Sequence, residues 1–266
     1  MPRDKIVLDQ VTKTFPQAGP NQGRQGEFVA VEGLSFAVKE GERVAIIGRT
    51  GCGKSTCLNL INGLIPVTSG KVMVDGLNPY TEFMKLKGRI ATVFQNDRLL
   101  PWRSTLENAK IGLQILEYPR EEQERITMDW LRKVGLKGFE HSYPHMLSGG
   151  MKQRVNLARA FALDPSILLL DEAFGHLDEV TAKQLRSDFL NLVTSVDETK
   201  RAGTTVFFVT HQIEEAIEVA SRIIVLAKPA RLLADMYIEQ EAKSDLRLAN
   251  EYRAKLVKII GEASSE

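Results

Sequence analysis

Residues 48–56 read Gly48-Arg49-Thr50-Gly51-Cys52-Gly53-Lys54-Ser55-Thr56, which fits the pattern G-x-x-x-x-G-K-[ST]. Glycines let successive backbone N–H groups curl into a concave nest that binds anions. A short apolar run at 43–47 precedes the motif and a helical pattern at 54–62 follows it. The nest therefore opens on a helix N-terminus, whose partial positive charge favours phosphate. In such a loop the Lys54 ammonium meets the β- and γ-phosphates of a nucleotide and the Ser55 hydroxyl ligates Mg²⁺. A glycine-rich turn that binds nothing would match the pattern but not its context. Alone, the motif does not separate a kinase, a GTPase and a transport ATPase.

A second constellation is Ile167-Leu168-Leu169-Leu170-Asp171-Glu172, an apolar run ending in two carboxylates. A buried strand would carry Asp171 beside the phosphate loop, to hold Mg²⁺ through water. Glu172, next in line, would polarise an attacking water; a positioned base contributes typically about 10²–10⁴-fold. Two acids at a strand exit also suit a solvated turn or a helix cap, and the pair gains weight only beside the phosphate loop.

The most specific string is Leu147-Ser148-Gly149-Gly150-Met151-Lys152-Gln153-Arg154. Ser148 is placed to cap the following helix, and Gly149 and Gly150 leave bare N–H groups that a phosphate can approach. An ordinary Ser-Gly-Gly helix entry would look the same, but this one precedes the acidic strand by a single helix. The string resembles the Leu-Ser-Gly-Gly-x-x-x-Arg signature of ATP-binding-cassette ATPases. The resemblance runs over roughly residues 5–230 and implies roles for further residues. Phe15 matches the aromatic that stacks on adenine. Gln95 matches the glutamine that senses Mg²⁺ and the membrane partner. Gly175-His176-Leu177-Asp178 resembles the dimer-contacting loop, with Asp178 as its acid, and His211 matches the switch histidine facing the γ-phosphate. Each of these is ordinary alone: Phe15 suits a core, and a lone Gln or His suits a solvated loop. Two departures stand out. His176 occupies a place where the family usually has a small residue, and Ala173 follows the acidic pair where Pro is common.

The resemblance implies a P-loop NTPase (RecA-like) α/β core with an antiparallel β subdomain and an inserted α-helical subdomain. It implies ATP and Mg²⁺ as cofactors. It also implies that Ser148, Gly149, Gly150 and Asp178 face the nucleotide of a second ATPase chain, identical or related. The stretch Phe94-Gln95-Asn96-Asp97-Arg98-Leu99-Leu100-Pro101-Trp102 resembles the ATPases of nitrate, sulfonate and taurine importers. That likeness implies integral membrane permease subunits, a separate solute-binding protein and residence at the cytoplasmic face of the membrane. Trp102 would then be an interface anchor, unless it packs on its own helical subdomain. The rival class is a cassette ATPase of DNA repair. Such proteins insert coiled coils or zinc modules, and this chain has neither sustained heptads nor cysteine clusters.

The rest of the sequence must position these groups. With 266 residues and 43% apolar content, one domain with a substantial core is expected. Lys plus Arg is 35 and Asp plus Glu is 34, a net charge of +1, which gives no electrostatic case for nucleic acid. No run nears the ~18 apolar residues of a membrane span, and residues 1–5 lack a signal peptide's apolar region. The two cysteines, Cys52 and Cys57, read as reduced packing residues.

Short β-rich runs at 6–11, 34–38, 43–47, 72–74, 90–94, 167–170, 205–209 and 223–226 alternate with helical patterns at 54–62, 150–163, 179–193 and 213–220. Residues 16–27, rich in Gln, Gly and Pro, read as a loop. The expected domains are a cassette over 1–234, its helical part near 98–163, and a charged helical tail over 235–266 with Tyr252, Leu256 and Ile260 at helical spacing.

Overall fold

The computed structural model describes residues 3–17, 26–96, 98–175, 177–194 and 203–262. In chain order the strands are β1 (Asp4–Gln17), β2 (Gly26–Lys39), β3 (Arg43–Gly48), β4 (Ser69–Val74), β5 (Ile90–Val93), β6 (Ile167–Asp171), β7 (Thr205–Val209), β8 (Arg222–Leu226) and β9 (Leu232–Tyr237). The helices are α1 (Lys54–Ile61), α2 (Phe83–Leu86), α3 (Thr105–Ala109), α4 (Ile111–Ile115), α5 (Arg120–Lys133), α6 (Gly149–Phe161), α7 (Glu179–Thr194), α8 (Ile213–Val219) and α9 (Leu246–Glu262). The chain divides into two compact units, Met1–Leu86 with Phe207–Glu266, and Lys87–Val206.

In the first unit an antiparallel three-stranded sheet runs in the order β2-β1-β4. Separately, β3 pairs parallel with β8, and β8 pairs antiparallel with β9. Val44, Ala45, Ile46 and Ile47 of β3, and Ile223, Ile224 and Val225 of β8, are buried. Strands covered on both faces need such continuous apolar runs, which is why they were visible in the sequence. Helix α1 buries Cys57, Leu58, Leu60 and Ile61. It stops at Gly63, which takes φ 70°; a Cβ there would lie 2.1 Å from the carbonyl oxygen of Pro79. Glycine is required twice over, by handedness and by space.

In the second unit β5 and β6 pair in parallel, Ile90 opposite Ile167 and Val93 opposite Leu170. The helices pack through aromatic rings: Trp130 stacks on Phe161 at 5.0 Å, and Phe189 contacts both Phe161 and Phe174. Leu131, beside Trp130 on α5, is fully buried. Helix α3 starts at a capping box, Ser104 accepting from the Glu107 N–H and Glu107 from the Ser104 N–H.

Three expectations need correction. The loop at 16–27 is shorter, because Pro16 and Gln17 of β1 pair with Glu27 and Gly26 of β2. Pro16 lies past Thr12, where the pairing of β1 with β4 ends, so only the β2 side of β1 is still paired there. The part of that loop at 18–25 lies outside the described residues. The stretch after Ala234 is not all tail: β9 runs through it to Tyr237. That strand lacks clean alternation, and it is anchored by Arg222, which donates to both Asp235 carboxylate oxygens at 2.6 Å. The 90–94 strand stops at Val93. Within α9, Tyr252 and Leu256 are buried, as their spacing indicated. Among the described residues, no helix is long and apolar enough to cross a membrane.

Gly63→Ala should destabilise the chain by about 1–3 kcal/mol, since it forces a left-handed residue with a Cβ against a carbonyl. Urea denaturation checks this. A midpoint equal to wild type would show that the α1 stop tolerates a side chain.

Candidate functional site

Gly48 closes β3, paired with Leu226 of β8. A Cβ at Gly48 would sit 2.6 Å from the Leu226 carbonyl oxygen, so the loop can leave the sheet this closely only from glycine. Gly53 takes φ 110° just before α1, with Ala30 O only 2.4 Å from where a Cβ would be. These two contacts bend residues 48–56 into their turn. Lys54 follows and is 6% exposed. Its Nζ donates to Gly48 O at 2.8 Å and to Arg49 O at 3.1 Å. A buried ammonium must be hydrogen-bonded, and this one draws on the loop's own carbonyls. Arg49, Thr50, Gly51 and Ser55 are exposed and Thr56 is half-buried. Burial raises the Cys52 thiol, against the lowering pull of Lys54, and pushes Cys57 up to about 12. Both are free thiols, protonated near neutrality, and neither serves as a nucleophile.

The first unit also holds Phe15 and His211. Phe15 is half-buried in β1 opposite Phe28, with Lys13 Nζ 5.0 Å from its ring centre. His211 is exposed on the turn after β7. Sequence reasoning missed what holds that turn. The Thr210 N–H donates to Ile46 O of β3 at 3.1 Å. The Thr210 hydroxyl donates to buried Glu215 at 2.9 Å and accepts from the Gln212 N–H at 3.0 Å. The one available signal was a threonine between an apolar strand and a histidine.

The second unit carries Gln95, Asp171, Glu172, the Ser148–Gly150 turn and Asp178. Gln95 and Glu172 each lie two residues past the aligned pair Val93 and Leu170, so the parallel register itself brings them together. Gln95 Nε2 donates to Glu172 Oε2 at 2.9 Å. Glu172 takes φ 48°, an uncommon conformation for a residue with a side chain. Asp171, half-buried, ends β6. Ser148 is the N-cap of α6, its Oγ accepting from the Met151 N–H at 3.2 Å. The first N–H groups of a helix have no intrahelical partner, and here Ser148 and Gly149 leave them at the surface. Asp178 is exposed and accepts from the Thr181 N–H at 3.0 Å at the start of α7. Thr181's hydrogen bonds hold its carboxyl below the usual carboxylate range. The geometry gives Asp178 a capping role that the sequence did not suggest. His176, in the same loop, lies outside the described residues. Trp102 is 71% exposed.

The oxygens that the resemblance assigns to a cation are divided between the units, the Ser55 hydroxyl in the first and the Asp171 carboxylate and Gln95 amide in the second. That set suits a hard ion such as Mg²⁺, which takes few protein ligands beside substrate phosphates. Among the described residues no cluster of three or more His, Cys, Asp or Glu could hold a metal by itself.

Comparison with known proteins follows the same lines. Residues 31–175 match the protein family described as ABC transporter. An uncharacterized ABC transporter ATP-binding protein of Methanocaldococcus jannaschii is 37% identical over 96% of this chain and 91% of its own length. The taurine import ATP-binding protein TauB of Burkholderia pseudomallei is 41% identical over 86% of this chain and 83% of its own. The nitrate import ATP-binding protein NrtD of Synechococcus elongatus is 38% identical over 87% and 80%. A solved dimeric post-hydrolysis state of an ATP-binding cassette bound to ADP and Pi has a TM-score of 0.74 at 32% identity, over 88% of this chain and 99% of that one.

The two signature glycines differ in a testable way. A Cβ at Gly150 would lie 2.7 Å from Thr181 Cγ2, whereas one at Gly149 would meet Leu177 at an ordinary 3.7 Å. Gly150→Ala should cost about 1–3 kcal/mol by overpacking, and Gly149→Ala should leave folding near wild type. Thermal unfolding of the two variants tests this, and equal melting temperatures would refute it.

Proposed function

The chain belongs to the ABC transporter family of ATP-binding proteins, and from that premise we propose that it powers a membrane importer of a small solute, of the nitrate, sulfonate or taurine kind. It is an ATPase, and its fold is the P-loop NTPase cassette, α/β with antiparallel and helical parts. Support for import comes from relatives named for nitrate and taurine import and from the exposed Trp102 after Gln95. The Gln95–Glu172 hydrogen bond is the observation that carries the mechanism.

In the proposed reaction, ATP and water give ADP and phosphate. The loop N–H groups of residues 48–56 and the Lys54 ammonium bind the phosphates, and Phe15 stacks on adenine. Ser55, Asp171 and Gln95 would hold Mg²⁺, which neutralises phosphate charge when bound. Gln95 donates to one carboxylate oxygen of Glu172, and the Glu172 carboxylate accepts the water's proton. His211 faces the γ-phosphate. Ser148, Gly149, Gly150 and Asp178 serve the nucleotide of a second copy, giving a two-fold pair with composite sites. The assembled importer adds permease subunits and a separate solute-binding protein, with this chain peripheral at the cytoplasmic face of the membrane.

Glu172→Gln preserves the shape and still accepts from Gln95, but the amide cannot take a proton. Turnover should fall at least ~100-fold, while MgATP binding persists and ATP holds the chains as a dimer on gel filtration. Lys54→Ala, in contrast, should lose MgATP affinity in titration calorimetry. Glu172→Gln turnover within about threefold of wild type would remove the general-base assignment.

Trp102→Ala should leave the melting temperature of the chain unchanged and weaken its capture by the permease roughly 30-fold, as an interface anchor does. A large fall in melting temperature with capture intact would show instead that Trp102 packs within its own chain.

A further inference from the structure

Helix α6 reaches the catalytic turns of its own chain through two buried amides. Gln153 is 5% exposed and Asn156 is 2% exposed. Gln153 Nε2 donates to the carbonyl of Ala173 at 2.6 Å and, more loosely, to the carbonyl of Phe94 at 3.4 Å. Asn156 Nδ2 donates to the same Phe94 carbonyl at 3.3 Å. Phe94 immediately precedes Gln95, and Ala173 immediately follows Glu172. One side-chain amide therefore ties together the two turns whose own side chains meet at 2.9 Å. Glu172, at φ 48°, holds a conformation that persists only where its surroundings over-determine it. The short bond from Gln153 to the next carbonyl is one such restraint.

Gln153 also stands little more than one turn along α6 from Ser148, Gly149 and Gly150. A helix transmits displacement along its axis because its backbone hydrogen bonds are stiff against shear. Whatever seats the N-terminus of α6 therefore seats Gln153, and through it the alignment of Gln95 and Glu172. Two neutral carbonyls facing one NH₂ group define its orientation, since an amide oxygen turned toward them would be repelled.

We infer that Gln153 is a positioning residue for hydrolysis: it sets the Gln95 and Glu172 turns in register and makes that register depend on the seating of the signature helix. Its amide engages backbone carbonyls, those of Ala173 and Phe94. The inference rests on the reading of Glu172 as general base, and it adds the path by which a partner's nucleotide, engaging the N-terminus of α6, acts on hydrolysis within this chain.

The test is steady-state hydrolysis of MgATP by the full chain, with kcat and KM separated and thermal melting measured alongside. Gln153→Met keeps the volume and removes the donor. Its kcat should fall about tenfold or more, with KM for ATP within about twofold, because the loss lies in the chemical step. Gln153→Asn, the second variant, keeps an amide but withdraws it by one methylene; it should fall in the same direction and serves if Gln153→Met unfolds at the assay temperature. A residue acting through the Gln95–Glu172 pair must also be non-additive with it. In a Gln95→Ala background, Gln153→Met should therefore lower kcat by less than about threefold. Wild-type kcat in both Gln153 variants overturns the inference, as does a penalty of undiminished size in the Gln95→Ala background, which marks a purely structural bond. Near-wild-type turnover in Glu172→Gln is a different failure. It removes the general-base reading, and the inference falls with it.

Discussion

A buried cation with nowhere to go but its own loop organises the first unit. The Lys54 ammonium is nearly inaccessible and donates to the carbonyls of Gly48 and Arg49. An ammonium removed from water without such partners is strongly disfavoured. The carbonyls can turn toward it only because Gly48 leaves β3 in contact with Leu226 and Gly53 turns left-handed against Ala30. Those contacts depend in turn on the register of β3 with β8, Ile47 opposite Val225. The fully apolar strands are therefore more than a core. They fix the separation at which a charged side chain can be buried and still be satisfied. The same arrangement explains the inertness of Cys52 and Cys57, which fill apolar space behind the loop and are held as thiols by burial.

The second unit holds Glu172, the carboxylate proposed as the base, by a different means. Parallel register delivers Gln95 and Glu172 to the same level past Val93 and Leu170. A neutral amide, Gln95, then donates to one oxygen of the acid and orients it. A lysine or arginine at position 95 would pair with Glu172 and reduce its basicity. The left-handed backbone at Glu172 is stored strain of the kind that concentrates at functional sites, here restrained by side chains of α6.

Much of this was legible because the signals were continuous. The β3, β6, β7 and β8 runs are apolar throughout, and glycines mark the ends of α1 and α5 where the chain turns left-handed. The Gly48–Thr56 and Asp171–Glu172 motifs were found from local spacing alone, although their contacts with Leu226, Ala30 and Gln95 are long-range. What escaped was set by pairing between distant segments. Strand β9 alternates poorly and exists because Arg222 is buried, held by Asp235, Glu42 and the carbonyl of Ala37. Pro16 looked like a loop residue because its pairing with Glu27 of β2 is set by a distant segment. The Gln153 clasp was hidden for the same reason, whereas the Thr210–Glu215 bond is local, five residues apart, and carried no pattern to mark it. A glutamate in an amphipathic helix and a glutamine in a signature string give no hint of the carbonyl or hydroxyl they will meet.

The signature helix shows why one short string needs all its residue types at once. Ser148 must cap, or the first turn of α6 frays and its N–H groups lose their direction. Gly149 leaves the surface there bare, while Gly150 has a separate reason to be small, the methyl of Thr181. Gln153 and Arg154 face different neighbours. The first reaches the carbonyls of Ala173 and Phe94, and the second binds Val134 O and Asp188, joining α6 to the end of α5 and to α7. A helix fastened along its length in this way has little freedom to rotate or slide alone. Its exposed end and its buried amides move as one body or not at all. The proposed phosphate-facing end of this helix and the Gln153 bonds to the Ala173 and Phe94 carbonyls are then mechanically a single device, whichever is engaged first.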